Sequence, residues 1–323
     1  MQTYTQVSGG IVDRLKDIVR LYKVRTRNAE GSIEMTKSQL ASSADCYRGY
    51  TATPLVDRDV LIVGVGQTQR EVIGFGMENR VTGIDLDVIP QGCHPGQYVR
   101  LLKQNGGMRF AKTVGRKMLG IDRKSSKQLA QALGVTKKPT VTLLQMNATD
   151  MRFASNSFDF AYSFSVFEHL DDPKTALREV IRVLRPGGVL QVSTHIYSSE
   201  GGCHDLRIFA GDRQSIPLWA QLRPSVKDTV LESCYMNKWR AAQWRDLFAD
   251  LCPGGEISFD QHAEPRGTEF ANALVELRKA GELSEYSDEE LLMVNLAVTW
   301  HKPVQSATGS TTIPSTREER RVA

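Results

Sequence analysis

Residues 158–194 constrain the fold more than any other stretch of the chain. Phe158–Ser163 is a short apolar run. Asp172–Pro173 follows, and then Leu177, Val180, Ile181 and Leu184 recur at the i, i+3, i+4, i+7 spacing of one buried helical stripe. Asp caps helices and Pro is tolerated at the first helical position, so this pair predicts a helix start. Pro186–Gly187–Gly188 predicts its end, and Val189–Thr194 is a second short apolar run. The same alternation extends in both directions. Val60–Val63, Val81–Asp85 and Thr140–Leu144 read as earlier strands, and Glu256–Phe259 and Leu291–Thr299 as later ones. Helices are predicted over 11–26, 33–47, 236–251 and 270–280, with a linker around Pro54 and an irregular stretch over 196–233. Strands alternating with helices imply an α/β fold with a parallel sheet covered on both faces. In such sheets ligands sit beyond the carboxyl ends of the strands, where strand order reverses.

Composition removes other classes. The 323 residues are 41% apolar and 24% charged, the balance of a soluble globular chain. No window approaches the ~20 consecutive apolar residues needed to span a bilayer. The N-terminus shows no cationic start followed by an apolar run, and the five scattered cysteines form no C-x-x-C pair. A cytoplasmic, reducing setting is expected, with neither a disulfide framework nor a zinc ribbon.

The net charge of +4 conceals an uneven distribution. Residues 91–140 hold eleven basic residues and one acid, Asp122, for a net +10, and the rest of the chain carries −6. Leucines recur among these charges as in short amphipathic helices. Such a block is either a solvated helical face or a surface that meets an anion. Arg109, Lys112, Arg116 and Lys117 are its candidate contacts. No specific nucleic acid is expected from the overall balance.

The strand over 60–63 ends in Gly64-Val65-Gly66, and glycines there let the backbone approach a ligand closely. Asp85 ends the next strand. A carboxylate in that place can accept hydrogen bonds from both ribose hydroxyls of an adenosine ligand. Dinucleotide enzymes and S-adenosylmethionine (SAM) enzymes share this arrangement. The dinucleotide fingerprint asks for a third glycine, and that position is Gln69.

The run NSFDFAYS…FEHLDDPKTALREVIRVLRPGGVL, together with IVGVG, resembles class I SAM-dependent methyltransferases of the quinone and glycan branch. The resemblance covers about residues 57–196 and, more loosely, the last helix and two strands. It implies a Rossmann-like, mostly parallel sheet of seven strands with helices on both faces. An N-terminal helical extension (1–56) precedes a methyltransferase domain (57–303). That domain carries a basic helical insertion (91–139) and an acceptor-site insertion (196–235), and a disordered tail (304–323) follows. It implies SAM as cofactor, with Gly64 and Gly66 along its methionine and ribose portions and Asp85 on the ribose hydroxyls. Asn147 and Ala148 would meet the adenine edge, and Ser163 would sit near the methionine moiety. The sequence departs from the family at Ile62, where an acid is usual, and at Thr68, where a glycine is usual. Gln67 or Thr68 is then expected to supply a side-chain hydrogen bond.

Methyl transfer is an in-line displacement that needs alignment and, for a hydroxyl acceptor, a base. His195, after the strand over 189–194, and His169, in FEHL, are the candidates. Some quinone O-methyltransferases carry Glu-x-x-Glu-His as a metal site at this point. The matching residues here are Ser165, Glu168 and His169, one carboxylate short, so no metal is expected. His204 stands beside Cys203 with no nearby third ligand in the sequence. The expected function is methyl transfer to an oxygen, or less favourably a nitrogen, of a small or glycan- or lipid-linked anionic acceptor. Peripheral contact with an anionic membrane is compatible with the basic segment. The alternatives are a non-catalytic SAM-binding scaffold that holds a polyanion, and an NAD-dependent oxidoreductase. Oligomeric state is not legible in the sequence.

Overall fold

A computed structural model describes residues 29–304, apart from 67, 91–94, 119, 135–138, 210, 213 and 265. The side chains of 104, 105, 108, 109, 112, 116, 121–123, 125 and 126 are not described either. The helix expected over 11–26 and the tail from 305 therefore lie outside the described residues.

Seven strands form one sheet. They are β1 (Asp59–Val63), β2 (Arg80–Asp85), β3 (Val141–Gln145), β4 (Phe158–Phe164), β5 (Leu184–His195), β6 (Glu256–Gln261) and β7 (Met293–His301). Their order across the sheet is β3-β2-β1-β4-β5-β7-β6. The first five run parallel, and β7 lies antiparallel to both β5 and β6. The order reverses between β1 and β4, which makes the carboxyl ends of these two strands the switch point.

Alternation along β1 shows how the sheet is covered. Leu61 and Val63 point into one apolar layer with Phe167, Leu177, Val180 and Trp244, while Val60 and Ile62 point into another with Tyr47, Val72 and Phe75. The long helix α1 (Ala29–Thr51) lies on the second face, where Tyr47 meets Phe160 edge-on at 6.0 Å. Ile62, where the family pattern has an acid, is 1% exposed and serves this core. Between β1 and β2 lies α2 (Arg70–Phe75).

The helix expected after Asp172 forms as α6 (Pro173–Val183), following the three basic-segment helices described next. The Asp172 carboxylate accepts the Thr175 N–H at 2.9 Å and the Thr175 hydroxyl at 2.6 Å. Between β2 and β3 the basic segment forms α3 (Pro95–Asn105), α4 (Gly107–Met118) and α5 (Ile121–Ala132), with Leu101, Thr113 and Leu129 buried. Arg100, Lys103, Lys124 and Lys127 are exposed. Lys117 instead donates to the Pro90 carbonyl at 2.9 Å. The side chains of Arg109, Lys112 and Arg116 are not described.

After β5 the chain passes through α7 (Leu206–Phe209) to α8 (Ala241–Leu251), then α9 (Arg266–Lys279) and α10 (Asp288–Leu292). The helix expected from 236 starts five residues later. Lys238 adopts a left-handed φ of 59°, and Asn237 bonds the chain before α8 to another turn instead of continuing the helix. Trp244 is fully buried with Trp239 against it at 4.8 Å, as the helical spacing suggested. No helix among the described residues is long and apolar enough to cross a membrane.

Candidate active site

At the switch point β1 ends in Gly64, with φ +82° and its N–H on the Ile84 carbonyl at 2.8 Å. A Cβ here would lie 2.1 Å from Val166 Cγ2, so glycine is required both for the dihedral and for the approach. Gly66 also has a positive φ, +61°, but a Cβ there would meet nothing within 4 Å. Its requirement is conformational. The turn between them is fastened to the end of β2: the Asp85 carboxylate accepts the Gly66 N–H at 3.2 Å and the Asp87 N–H at 2.9 Å.

Asn147, just after β3, is exposed, and its side-chain oxygen accepts the Thr149 N–H at 3.0 Å. Ala148 beside it is buried. Ser163 is buried near the end of β4, and its hydroxyl donates to the Val63 carbonyl at 3.0 Å. It thus ties the carboxyl ends of β1 and β4 together. Gln67 lies outside the described residues. Thr68 is partly buried at the mouth of the turn.

Beyond β4, Ser165 adopts a left-handed φ of 52° and the chain makes one 3-10 turn, Phe167–His169. Asn237 clamps this turn. Its N–H bonds the Glu168 carbonyl at 2.8 Å, and its amide nitrogen donates to Phe167 and Leu170 carbonyls at 2.9 and 3.1 Å. Nothing in the sequence marks Asn237, because its role depends on a turn nearly seventy residues earlier. Within the turn, Glu168 is buried. One carboxylate oxygen accepts the Thr194 hydroxyl at 3.1 Å, and the other, Oε1, has no hydrogen-bond partner. Burial outweighs the bonds from its own backbone, Thr194 and the His195 N–H, and pushes this carboxyl up to about 8.

The two histidines proposed from the sequence meet through a third. His195 is the last residue of β5. Its Nδ1 lies 2.7 Å from His204 Nε2 and its Nε2 lies 3.1 Å from the Ser199 hydroxyl. His169 Nδ1 lies 2.8 Å from the Tyr235 carbonyl, and its ring centroid is 5.0 Å from that of His204. Burial, with His169 and His262 nearby, holds His195 down to about 4, and burial with the neighbouring histidines holds His204 well below its ordinary value. Both are neutral imidazoles at physiological pH. The thiol beside His204 is not that of Cys203, which is buried in a small core with Ile208, Ile216 and Ala220. It is that of Cys234, with Sγ 3.6 Å from Nδ1. Of the remaining histidines, His262 packs edge-on against Phe270 and His301 stacks on Tyr50. His94 lies outside the described residues.

The switch point of this Rossmann-like sheet thus joins a double-glycine turn, an acid at the end of β2 bonded to it, and histidines beyond the ends of β4 and β5. Residues 86–192 match the methyltransferase domain family. The chain is 35% identical over 148 residues to O-methyltransferase resE of Aspergillus sclerotiorum, covering 45% of this chain and 51% of that protein. It is 40% identical over 75 residues to O-methyltransferase rstn1 of Aspergillus nomiae, covering 23% and 32%. It is 25% identical over 152 residues to the chloroplastic tocopherol O-methyltransferase of Arabidopsis thaliana, covering 47% and 39%. The chain spans about half or less of the length of these curated relatives. Over part of its length the chain is thus similar to SAM-dependent methyltransferases.

Proposed function

We propose that this protein transfers a methyl group from SAM to a hydroxyl oxygen of a small acceptor. The observation that carries this reading is the hydrogen bond from the Gly66 N–H to the Asp85 carboxylate, which sets a ribose-binding acid against a glycine turn at the switch point. The family match begins at residue 86, so this geometry is a separate line of support. SAM lies along Gly64 and Gly66, with its ribose on Asp85, its adenine towards Asn147 and Ala148, and its methionine end near Ser163. The names of the fungal and plant relatives favour oxygen over nitrogen as the acceptor atom. The acceptor enters from the side of the 196–235 insertion, and the group that takes its proton belongs to the histidines at the sheet edge, His195 and His169. The exposed cations of α3 and α5 favour an acceptor bearing phosphate or carboxylate.

The test is labelled-methyl transfer from SAM to a panel of hydroxyl acceptors, alongside calorimetry of SAM with the wild type and Asp85→Ala. A charge-assisted hydrogen bond is worth about 1.5–3 kcal/mol, so Asp85→Ala weakens SAM binding more than tenfold. Unchanged affinity removes Asp85 from the site. Tight SAM binding with no transfer to any acceptor supports a non-catalytic scaffold instead.

A further inference from the structure

The insertion after β5 places three metal-ligating side chains together that the sequence keeps far apart. His169, His204 and Cys234 present ligand atoms that all lie within 4.8 Å of one another. A lone antiparallel bridge, Asp205 with Glu232, and a 2.6 Å bond from the Ser233 hydroxyl to the His204 carbonyl hold the two ends of the insertion side by side. That pairing brings Cys234 to His204. The Tyr235 carbonyl, one residue further on, reaches His169. We propose that His169, His204 and Cys234 bind a zinc-class divalent cation.

The spacing fits. Zinc lies about 2.0–2.1 Å from imidazole nitrogen and about 2.3 Å from thiolate sulfur, so a tetrahedral N–Zn–S edge is about 3.5 Å long. The His204 Nδ1 to Cys234 Sγ separation is 3.6 Å. Ring polarity fits as well. A carbonyl only accepts, so His169 Nδ1 carries the proton that bonds Tyr235, and its Nε2 presents a lone pair. His204 Nδ1 faces the thiol, and its Nε2 lies 2.7 Å from His195 Nδ1, so a proton on Nε2 has an acceptor there and Nδ1 is left for a metal. Each imidazole ligand therefore has its second nitrogen held by an acceptor, the arrangement that orients metal-bound histidines. Two histidines and a thiolate form a borderline-soft donor set, which selects zinc over magnesium or calcium. The Glu168 Oε1, buried without a hydrogen-bond partner, lies 4.0 Å from His169 Nε2. This donor set differs from a paired-carboxylate site: only His169 comes from the FEHL segment, and the other two ligands come from the insertion. An ion here fastens the 196–235 segment to the turn that ends β4. It also makes His169 a ligand rather than the acceptor's base.

The full chain, stripped with a chelator under reducing conditions, is titrated with Co(II) alone. One equivalent binds and gives the near-ultraviolet thiolate-to-cobalt band and the strong visible bands of a four-coordinate ion, and Zn(II) displaces it. Cys234→Ser loses the charge-transfer band, and His204→Gln binds at least 100-fold more weakly. Zn(II) raises the melting temperature of the wild type but not of Cys234→Ser, while the two apo proteins melt alike. Should Cys234→Ser fail to fold, His169→Gln carries the same comparison. Absence of stoichiometric binding, a charge-transfer band that survives Cys234→Ser, or an unchanged affinity in His204→Gln overturns the site. None of these readouts depends on methyl transfer or on SAM.

Discussion

Gly64→Ala tests the turn on which the proposed SAM site rests. The substitution acts in two ways. First, φ at this position is +82°, where an L-residue is disfavoured by about 1–2 kcal/mol. Second, the new Cβ would lie 2.1 Å from Val166 Cγ2 and 2.9 Å from Val166 Cγ1, and overpacking of this kind costs about 1–3 kcal/mol. Val166 cannot retreat freely. It is packed against the core layer, and its carbonyl accepts the His169 N–H at 2.9 Å. The total destabilisation is therefore about 2–5 kcal/mol, and relief of the clash displaces the turn that carries His169. The assay is urea unfolding of the wild type, Gly64→Ala, Val166→Ala and the double variant. Because Val166→Ala removes the colliding methyls, it recovers the steric share in the Gly64→Ala background and leaves the dihedral share, a coupling of about 1–3 kcal/mol. A Gly64→Ala protein as stable as the wild type, or a double variant whose effects simply add, refutes this account of the turn.

Two further outcomes are expected. Asn237→Ala leaves the Phe167 and Leu170 carbonyls without their amide donor and lowers stability by about 1–3 kcal/mol. Turnover falls more than SAM affinity, because the turn it holds carries His169, and equal losses in both would place Asn237 in the fold alone. For an anionic acceptor, KM rises with ionic strength as exposed cations are screened over about 8 Å at physiological salt, while SAM affinity measured by calorimetry stays nearly constant. A KM independent of salt leaves α3–α5 as a solvated face.

Much of the sheet was legible because its signals are local. The strands at the centre of the sheet contain short apolar runs, and α6 carries its cap, its proline and its stripe within one stretch. The glycine turn and Asp85 were legible for the same reason. Glycine is demanded by a backbone dihedral, and Asp85 is read directly as the residue that ends β2. The start of α8 was misread because Asn237 gives its hydrogen bonds to a turn across the fold, a competition that helical periodicity does not register. The thiol that meets His204 was not legible either. Cys203 is its chain neighbour, but neighbouring side chains in a turn diverge, and Cys203 is buried in a small core. Cys234 reaches His204 only because one antiparallel bridge closes the insertion on itself, and His169 and His195 join them only because parallel pairing sets the ends of β4 and β5 side by side. Sequence by itself determined the order of elements and the glycine turn, since both depend on residues close along the chain. Tertiary structure decided which histidines and which thiol share a space, since that depends on strand pairing and loop closure between residues that are not chain neighbours.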